Sequence, residues 1–108
     1  MTIVWHPEAM LSAAHTAEFI RVRDGEKACE SFLNAVDAVL ETLKRFPTSY
    51  PEERLFRKNP LQFRSVQIQH LNKIIYRIED DTIYIVDFWD TRMKPWTLIS
   101  RVLNRVGK

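Results

Sequence analysis

Apolar residues follow two different rhythms along this chain. From Pro7 to about Arg23, Met10, Ala13, Ala17 and Ile20 recur at the three-and-four spacing of one helix face, with Glu18, Arg21 and Arg23 elsewhere. The same rhythm resumes after Asp24-Gly25 and runs to Phe46 through Cys29, Phe32, Val36, Val39 and Leu43, widened by Ala28, Leu33, Ala35 and Leu40. Glycine accepts the positive φ of a helix C-terminus and aspartate can cap the next amide group, so the break is short and the two helices must run antiparallel. Ahead of them Thr2–Trp5 is a short β-prone run, and Pro7 suits a first helical turn because its missing amide hydrogen would have no partner there. The second half changes period. Phe63–His70 alternates, with Val66 and Ile68 on one face against Ser65, Gln67 and Gln69, and Asn72–Glu79 puts Ile74, Tyr76 and Ile78 together. Thr82–Trp89 is nearly solid apolar, as in a central strand, and Asp80-Asp81 predicts a tight hairpin turn before it. Between the halves Pro47, Pro51 and Pro60 stand among Glu52, Glu53, Arg54, Arg57 and Lys58, which predicts a long exposed loop over 47–61. Trp96, Leu98, Ile99, Val102 and Val106 are spaced for a short C-terminal helix.

The order is therefore a strand, an antiparallel helical hairpin and three strands, an α+β class. A length of 108 residues supports one core, so the expectation is a single domain over 1–108. The composition, 45% hydrophobic and 28% charged, is that of a folding globular chain rather than a disordered one. Only Gly25 and Gly107 occur, too few for a phosphate-cradling loop or a dinucleotide fingerprint. Cys29 stands alone, which removes an internal disulfide, a CxxC pair and any multi-cysteine zinc site, and fits a reducing cytoplasm. The opening MTIVWHPEAM is not a secretory leader and no stretch approaches about 18 uncharged apolar residues, so no membrane association is expected.

Charge is distributed unevenly. Residues 1–46 hold five Lys/Arg against seven Asp/Glu and residues 47–108 hold eleven against seven, a skew of −2 against +4 that suits an anionic partner for the second half. His6, His15 and His70 lack metal-ligand spacing, the serines lack the glycines of a nucleophile elbow, and neither metal nor cofactor is expected. The cations Arg54, Arg57, Lys58, Arg64, Arg77, Arg92 and Lys94 are the group with chemical interest, because guanidinium forks hold phosphate bidentately. Arg77 falls opposite the Ile74/Tyr76/Ile78 face, where a cross-strand acid can pair with it. Arg64 falls on the Val66/Ile68 face, where an unpaired charge is costly unless a concave edge uses it. Asp87-Phe88-Trp89-Asp90-Thr91-Arg92 leaves the core with little freedom, and Asp90 can pair with Arg92 and orient it.

The order of Val4-Trp5-His6-Pro7-Glu8-Ala9, Gly25 with Ala28 and Phe32, Leu43-Lys44-Arg45-Phe46-Pro47, the Arg64 strand, Lys73-Ile74-Ile75-Tyr76-Arg77-Ile78-Glu79 and Ile83 to Arg92 resembles the RelE/ParE superfamily of type II toxin–antitoxin toxins. The Asp90-Thr91-Arg92 ending before Pro95 is similar to a subgroup of RelE/ParE and plasmid-stabilisation proteins. The resemblance covers nearly the full chain. It implies a helical hairpin on one curved, mostly antiparallel sheet, with a cognate antitoxin wrapping that surface, in a dimer or a toxin–antitoxin heterotetramer. Within the superfamily, RelE-like members cut mRNA in the ribosome with sheet cations and a C-terminal Tyr or His, and ParE-like members inhibit DNA gyrase. Arg64 and Arg92 match the nuclease cations, with Lys94 as the remaining proton donor, and Arg54, Arg57, Lys58, Asp90 and Trp96 are the implied binding residues. After Arg92, however, Met93-Lys94-Pro95-Trp96 holds no Tyr or His, and Trp96 can stack on a base without exchanging a proton. That departure favours the gyrase branch. A third class is a module that binds an antitoxin without toxicity.

Overall fold

The computed structural model describes residues 1–106. Strand β1 (Thr2–Trp5) leads into α1 (Pro7–Asp24), α2 (Glu26–Arg45), β2 (Arg64–Ile68), β3 (Asn72–Glu79), β4 (Thr82–Asp90) and α3 (Pro95–Val106). The sheet order is β1-β4-β3-β2: the last three strands form an antiparallel meander, and β1 returns parallel to β4. The α+β order expected from the two periodicities is the order found.

Local chemistry explains the boundaries. His6 precedes α1 and its Nδ1 accepts the Glu8 amide at 3.1 Å, with Pro7 in the first turn. Gly25 takes φ 100° and its amide closes α1 on the Arg21 carbonyl at 2.9 Å, a conformation that favours glycine. Asp24 does not cap α2 as the sequence suggested. Its carboxylate is engaged by the neighbouring Arg23 at 2.6 Å, and α2 starts without a side-chain cap. Asp80 turns the β3–β4 hairpin at φ 54°.

Two cores form, one on each face of the sheet. Under the α1–α2 hairpin lie Phe32, Val36, Leu43, Val66, Ile68, Ile74, Tyr76, Ile83, Ile85 and Phe88, where Phe32 meets Phe88 edge to face with ring centroids 5.8 Å apart. Burying a side chain of this size is worth roughly 2–3 kcal/mol. Under α3 lie Phe56, Phe63, Ile75, Val86, Trp89, Leu98 and Val102. A β-bulge makes the second core possible. Tyr76 pairs with Ile85 and Ile75 with Asp87, so Val86 is the extra residue, and Val86, Asp87 and Trp89 are all turned toward α3.

Two expectations from the spacing need correction. Met10, placed on the inner stripe of α1, is 54% exposed, and Ala9 takes the buried position. The 47–61 segment is not wholly exposed, because Glu53 and Phe56 are buried and Arg54–Phe56 forms a 3-10 turn.

Candidate functional site

The candidate cations do not converge on one surface. Arg64 pairs across the ladder with Tyr76, on the face covered by the helical hairpin, as the alternation indicated. Its Nη1 donates to the Tyr50 carbonyl at 2.6 Å and to the Thr48 carbonyl at 3.2 Å. Tyr76 donates its hydroxyl to the Pro47 carbonyl at 2.7 Å. Burial pushes the Tyr76 phenol up to about 12, against the smaller lowering effect of Arg64, so it stays a neutral donor at physiological pH. The two side chains together fix the segment after α2 to the sheet, which is how the concave-edge cost of Arg64 is met.

Glu53 caps the Arg54–Phe56 turn by accepting the Leu55 amide at 3.0 Å, and its other oxygen pairs with Lys73 of β3. Burial raises the Glu53 carboxyl, but hydrogen bonds from Lys73 and the Leu55 amide outweigh that effect and hold it below the ordinary carboxylate value. The turn so anchored displays Arg54, Arg57 and Lys58, which are exposed and border one shallow groove beside Leu55. No carboxylate pairs with these three among the described residues. Their turn packs against α3 through Leu55 and Phe56, which also brings it to the helix that begins next to Lys94 and Trp96. Lys94 Nζ sits 5.1 Å from the centre of the Trp96 ring, and that ring is 63% exposed.

Arg92 lies just past the end of β4, on the surface. Its Nε and Nη2 bond both Asp90 oxygens at 3.1 and 2.8 Å, and the Arg92 amide bonds Asp90 Oδ1 at 2.9 Å. The side-chain hydrogen bonds from Arg92, helped by its amide and its charge, hold the Asp90 carboxyl below its usual range against the opposing effect of burial. The expected pair therefore exists, formed in a turn rather than along an extended strand. Around it is a cleft of about 430 Å3, in which Asp90 and Arg92 face Phe19 and Arg23 of α1. Arg23 stacks over the Phe19 ring at 5.0 Å. Sequence reasoning passed over these two α1 residues. The signal was there, since Leu11, His15, Phe19 and Val22 share an outer stripe that is exposed among the described residues.

Arg77 is on the face expected for it but pairs with Glu79 of its own strand at 2.6 Å and lies 4.6 Å from the Tyr84 ring across the ladder. A buried carboxylate, Asp87, binds Arg101 and Arg105 of α3, the latter at 2.9 Å, while Arg105 also donates to the Val86 carbonyl at 2.8 Å. Among the described residues no three His, Cys, Asp or Glu side chains converge as a metal cluster. No described helix is long and apolar enough to cross a membrane.

A helical hairpin on one face of a four-stranded sheet and a C-terminal helix on the other define a small α+β protein. The family described as the ParE toxin of type II toxin–antitoxin systems, parDE, matches residues 3–95, and the chain belongs to that family. Its fold is similar to that in the chromosomal ParDE system from P. aeruginosa, at a TM-score of 0.67 and 12% identity over 83% of this chain and 95% of that one. It is also similar to the YoeB dimer from Staphylococcus aureus, at 0.55 and 16% over 81% and 92%. The YoeB–YefM complex of the same organism matches at 0.54 and 16% over 82% and 93%. No curated protein matches the sequence.

Proposed function

We propose that this toxin is a ParE-like inhibitor of DNA gyrase, neutralised in the cytoplasm by a cognate antitoxin and assembling as a dimer or a toxin–antitoxin heterotetramer. One observation carries the choice of target: both arginines that a nuclease would use already have partners. Arg64 is spent on the Thr48 and Tyr50 carbonyls beneath the helical hairpin, and Arg92 is held by Asp90. Acid–base cleavage needs a group that exchanges protons near neutral pH, and neither the raised Tyr76 phenol nor Met93-Lys94-Pro95-Trp96 supplies one of ordinary kind. The YoeB–YefM complex and the YoeB dimer support an antitoxin partner and self-association by analogy of fold. Ribosome-dependent mRNA cleavage is the second reading, favoured by the carboxylate-free Arg54, Arg57 and Lys58 and the exposed Trp96.

Brief induction in a bacterial host separates the two. Gyrase inhibition gives an SOS response with intact transcripts, and the purified chain lowers supercoiling by gyrase. Primer extension showing cuts within codons, abolished by Arg64→Ala or Arg92→Ala, overturns this reading in favour of the nuclease. Unaffected growth at verified soluble expression overturns toxicity itself and leaves an antitoxin-binding module.

A further inference from the structure

The chain treats the two edges of its sheet differently. Along β2, the preceding loop supplies backbone partners: Glu52 bridges Arg64, Ser65 donates to the Pro51 carbonyl at 3.2 Å and Glu53 donates to the Phe63 carbonyl at 2.8 Å. Among the described residues nothing comparable covers β1. The amides of Thr2 and His6 donate to the Asp81 and Ile85 carbonyls of the β4 side at 3.1 and 2.8 Å. Strand alternation then points the amide and carbonyl groups of Ile3 and Trp5 away from β4, toward the free edge. No hydrogen bond outside the ladder reaches them among the described residues. The strand Thr-Ile-Val-Trp also carries no charge, proline or bulge, the devices that usually blunt an edge; only its four-residue length limits pairing. Beside this edge a groove of about 640 Å3 is lined by Ile3 and Trp5 together with Asp37, Leu40, Glu41 and Lys44 of α2.

We propose that β1 is a self-association edge, at which a second copy of the chain adds its own β1 antiparallel to make a continuous eight-stranded sheet. The occupant follows from symmetry and charge. A two-fold axis normal to the sheet through Val4 sets Ile3 opposite the second copy's Trp5, so their outward amides and carbonyls pair in both directions. Val4, 44% exposed, then meets its own copy across the axis. The same axis keeps both α2 helices on one face and makes them antiparallel. Asp37 and Lys44 stand at opposite ends of the α2 rim, so each acid meets the other copy's base, with Leu40 between them. Lys44 has only an exposed bond to Glu41 at 3.2 Å to exchange. The inference gives a surface to the self-association in the proposed function and is independent of the toxin's target.

Light scattering on the purified full-length chain across roughly a hundredfold range of concentration tests it. The expected result is twice the chain mass when concentrated, falling to the single-chain mass on dilution. Ile3→Pro removes one outward amide and leaves the β1–β4 ladder bonds in place; it should give the single-chain mass throughout with an unchanged circular dichroism spectrum. Asp37→Lys and Lys44→Asp, both on the exposed side of α2, should each weaken association about tenfold or more, and the double exchange should restore it. A parent that stays single-chain at every concentration overturns the proposal and the self-association together. A dimer indifferent to Ile3→Pro and to both charge reversals overturns the β1 edge alone, as does failure of the double exchange to restore what the single ones lose. Amide exchange at Ile3 and Trp5 that slows only when a different protein is added makes this a partner's edge and overturns self-pairing.

Discussion

Asp87→Asn tests whether a buried charge cluster locks α3 to the sheet. The Asp87 side chain is fully buried, and its carboxylate answers two guanidiniums from α3, Arg101 and Arg105, of which Arg105 has a side-chain exposure of only 8%. Replacing the carboxylate by an amide leaves both cations in a poorly solvated place without their counter-charge. Removing one partner of such a cluster costs about 3–5 kcal/mol. For a chain of this size that lowers the melting temperature by about 12 °C or more. Urea titration followed by circular dichroism, with fluorescence of a Trp5→Phe, Trp96→Phe background in which Trp89 alone reports the core under α3, reads the loss directly. Replacing the whole cluster, Asp87→Leu with Arg101→Met and Arg105→Met, should recover most of it, because apolar residues of similar volume often equal or exceed a buried ion pair. Recovery stays about 1 kcal/mol short, since Arg105 also serves the Val86 carbonyl. An Asp87→Asn protein melting within about 2 °C of the parent would refute the reasoning, and α3 would then be held by its apolar face alone.

Further predictions concern the anchors and the rim. Arg64→Ala frees the Thr48 and Tyr50 carbonyls and should cost about 2 kcal/mol, while Tyr76→Phe should cost about 1; denaturant midpoints equal to the parent's would show that the segment after α2 needs neither. Because the Glu53 carboxyl is held below its unfolded value of 4.5, its contribution is complete above that pH and is lost as pH falls through the lower folded value. Glu53→Gln should therefore flatten part of the stability decline measured between neutral and acid pH, and an unchanged slope would disprove the Lys73 pairing. Arg92→Ala should lose toxicity at equal soluble level while its melting temperature hardly changes, since its guanidinium is exposed and, among the described residues, pairs only with the half-buried Asp90 two positions away; full toxicity, or unfolding, would show the Asp90 pair to be merely structural.

How much of this was legible in the sequence depended on whether periodicity or bookkeeping decided the outcome. The helices were legible because Cys29, Phe32, Val36 and Leu43 repeat at 3.6, and β2 because Val66 and Ile68 alternate with polar residues. The run Ile83–Trp89 hid its own geometry, since a stretch apolar at every position but Asp87 gives little sign of which residue faces which side. The second core and the role of Asp87 stayed invisible with it. In the loop, Leu55, Phe56 and Phe63 were an available hint of burial among the prolines, but no spacing rule joins Glu53 to Lys73 across twenty residues. The charge-based candidates were found as residues and not as an arrangement, because sign and count do not say that Arg64 turns beneath the hairpin and away from the Arg54–Lys58 turn.

The extra residue at Val86 works as a phase shifter in the middle of the molecule. Before it, odd-numbered positions of β4 look toward the hairpin; after it, Phe88 does, and Asp87 and Trp89 look the other way. Were the strand to run through Val86 with plain alternation, the two sides would swap for everything downstream, driving Asp87 and Trp89 into the hairpin core and Phe88 beneath α3, with Arg101 and Arg105 facing no acid. Loss of Val86 itself would remove only its contact beneath α3 and leave Asp87, Phe88 and Trp89 on the sides they now face, because Ile85 and Asp87 already hold consecutive places in the ladder. The bulge is therefore the point at which β4 absorbs one residue of length without disturbing either core.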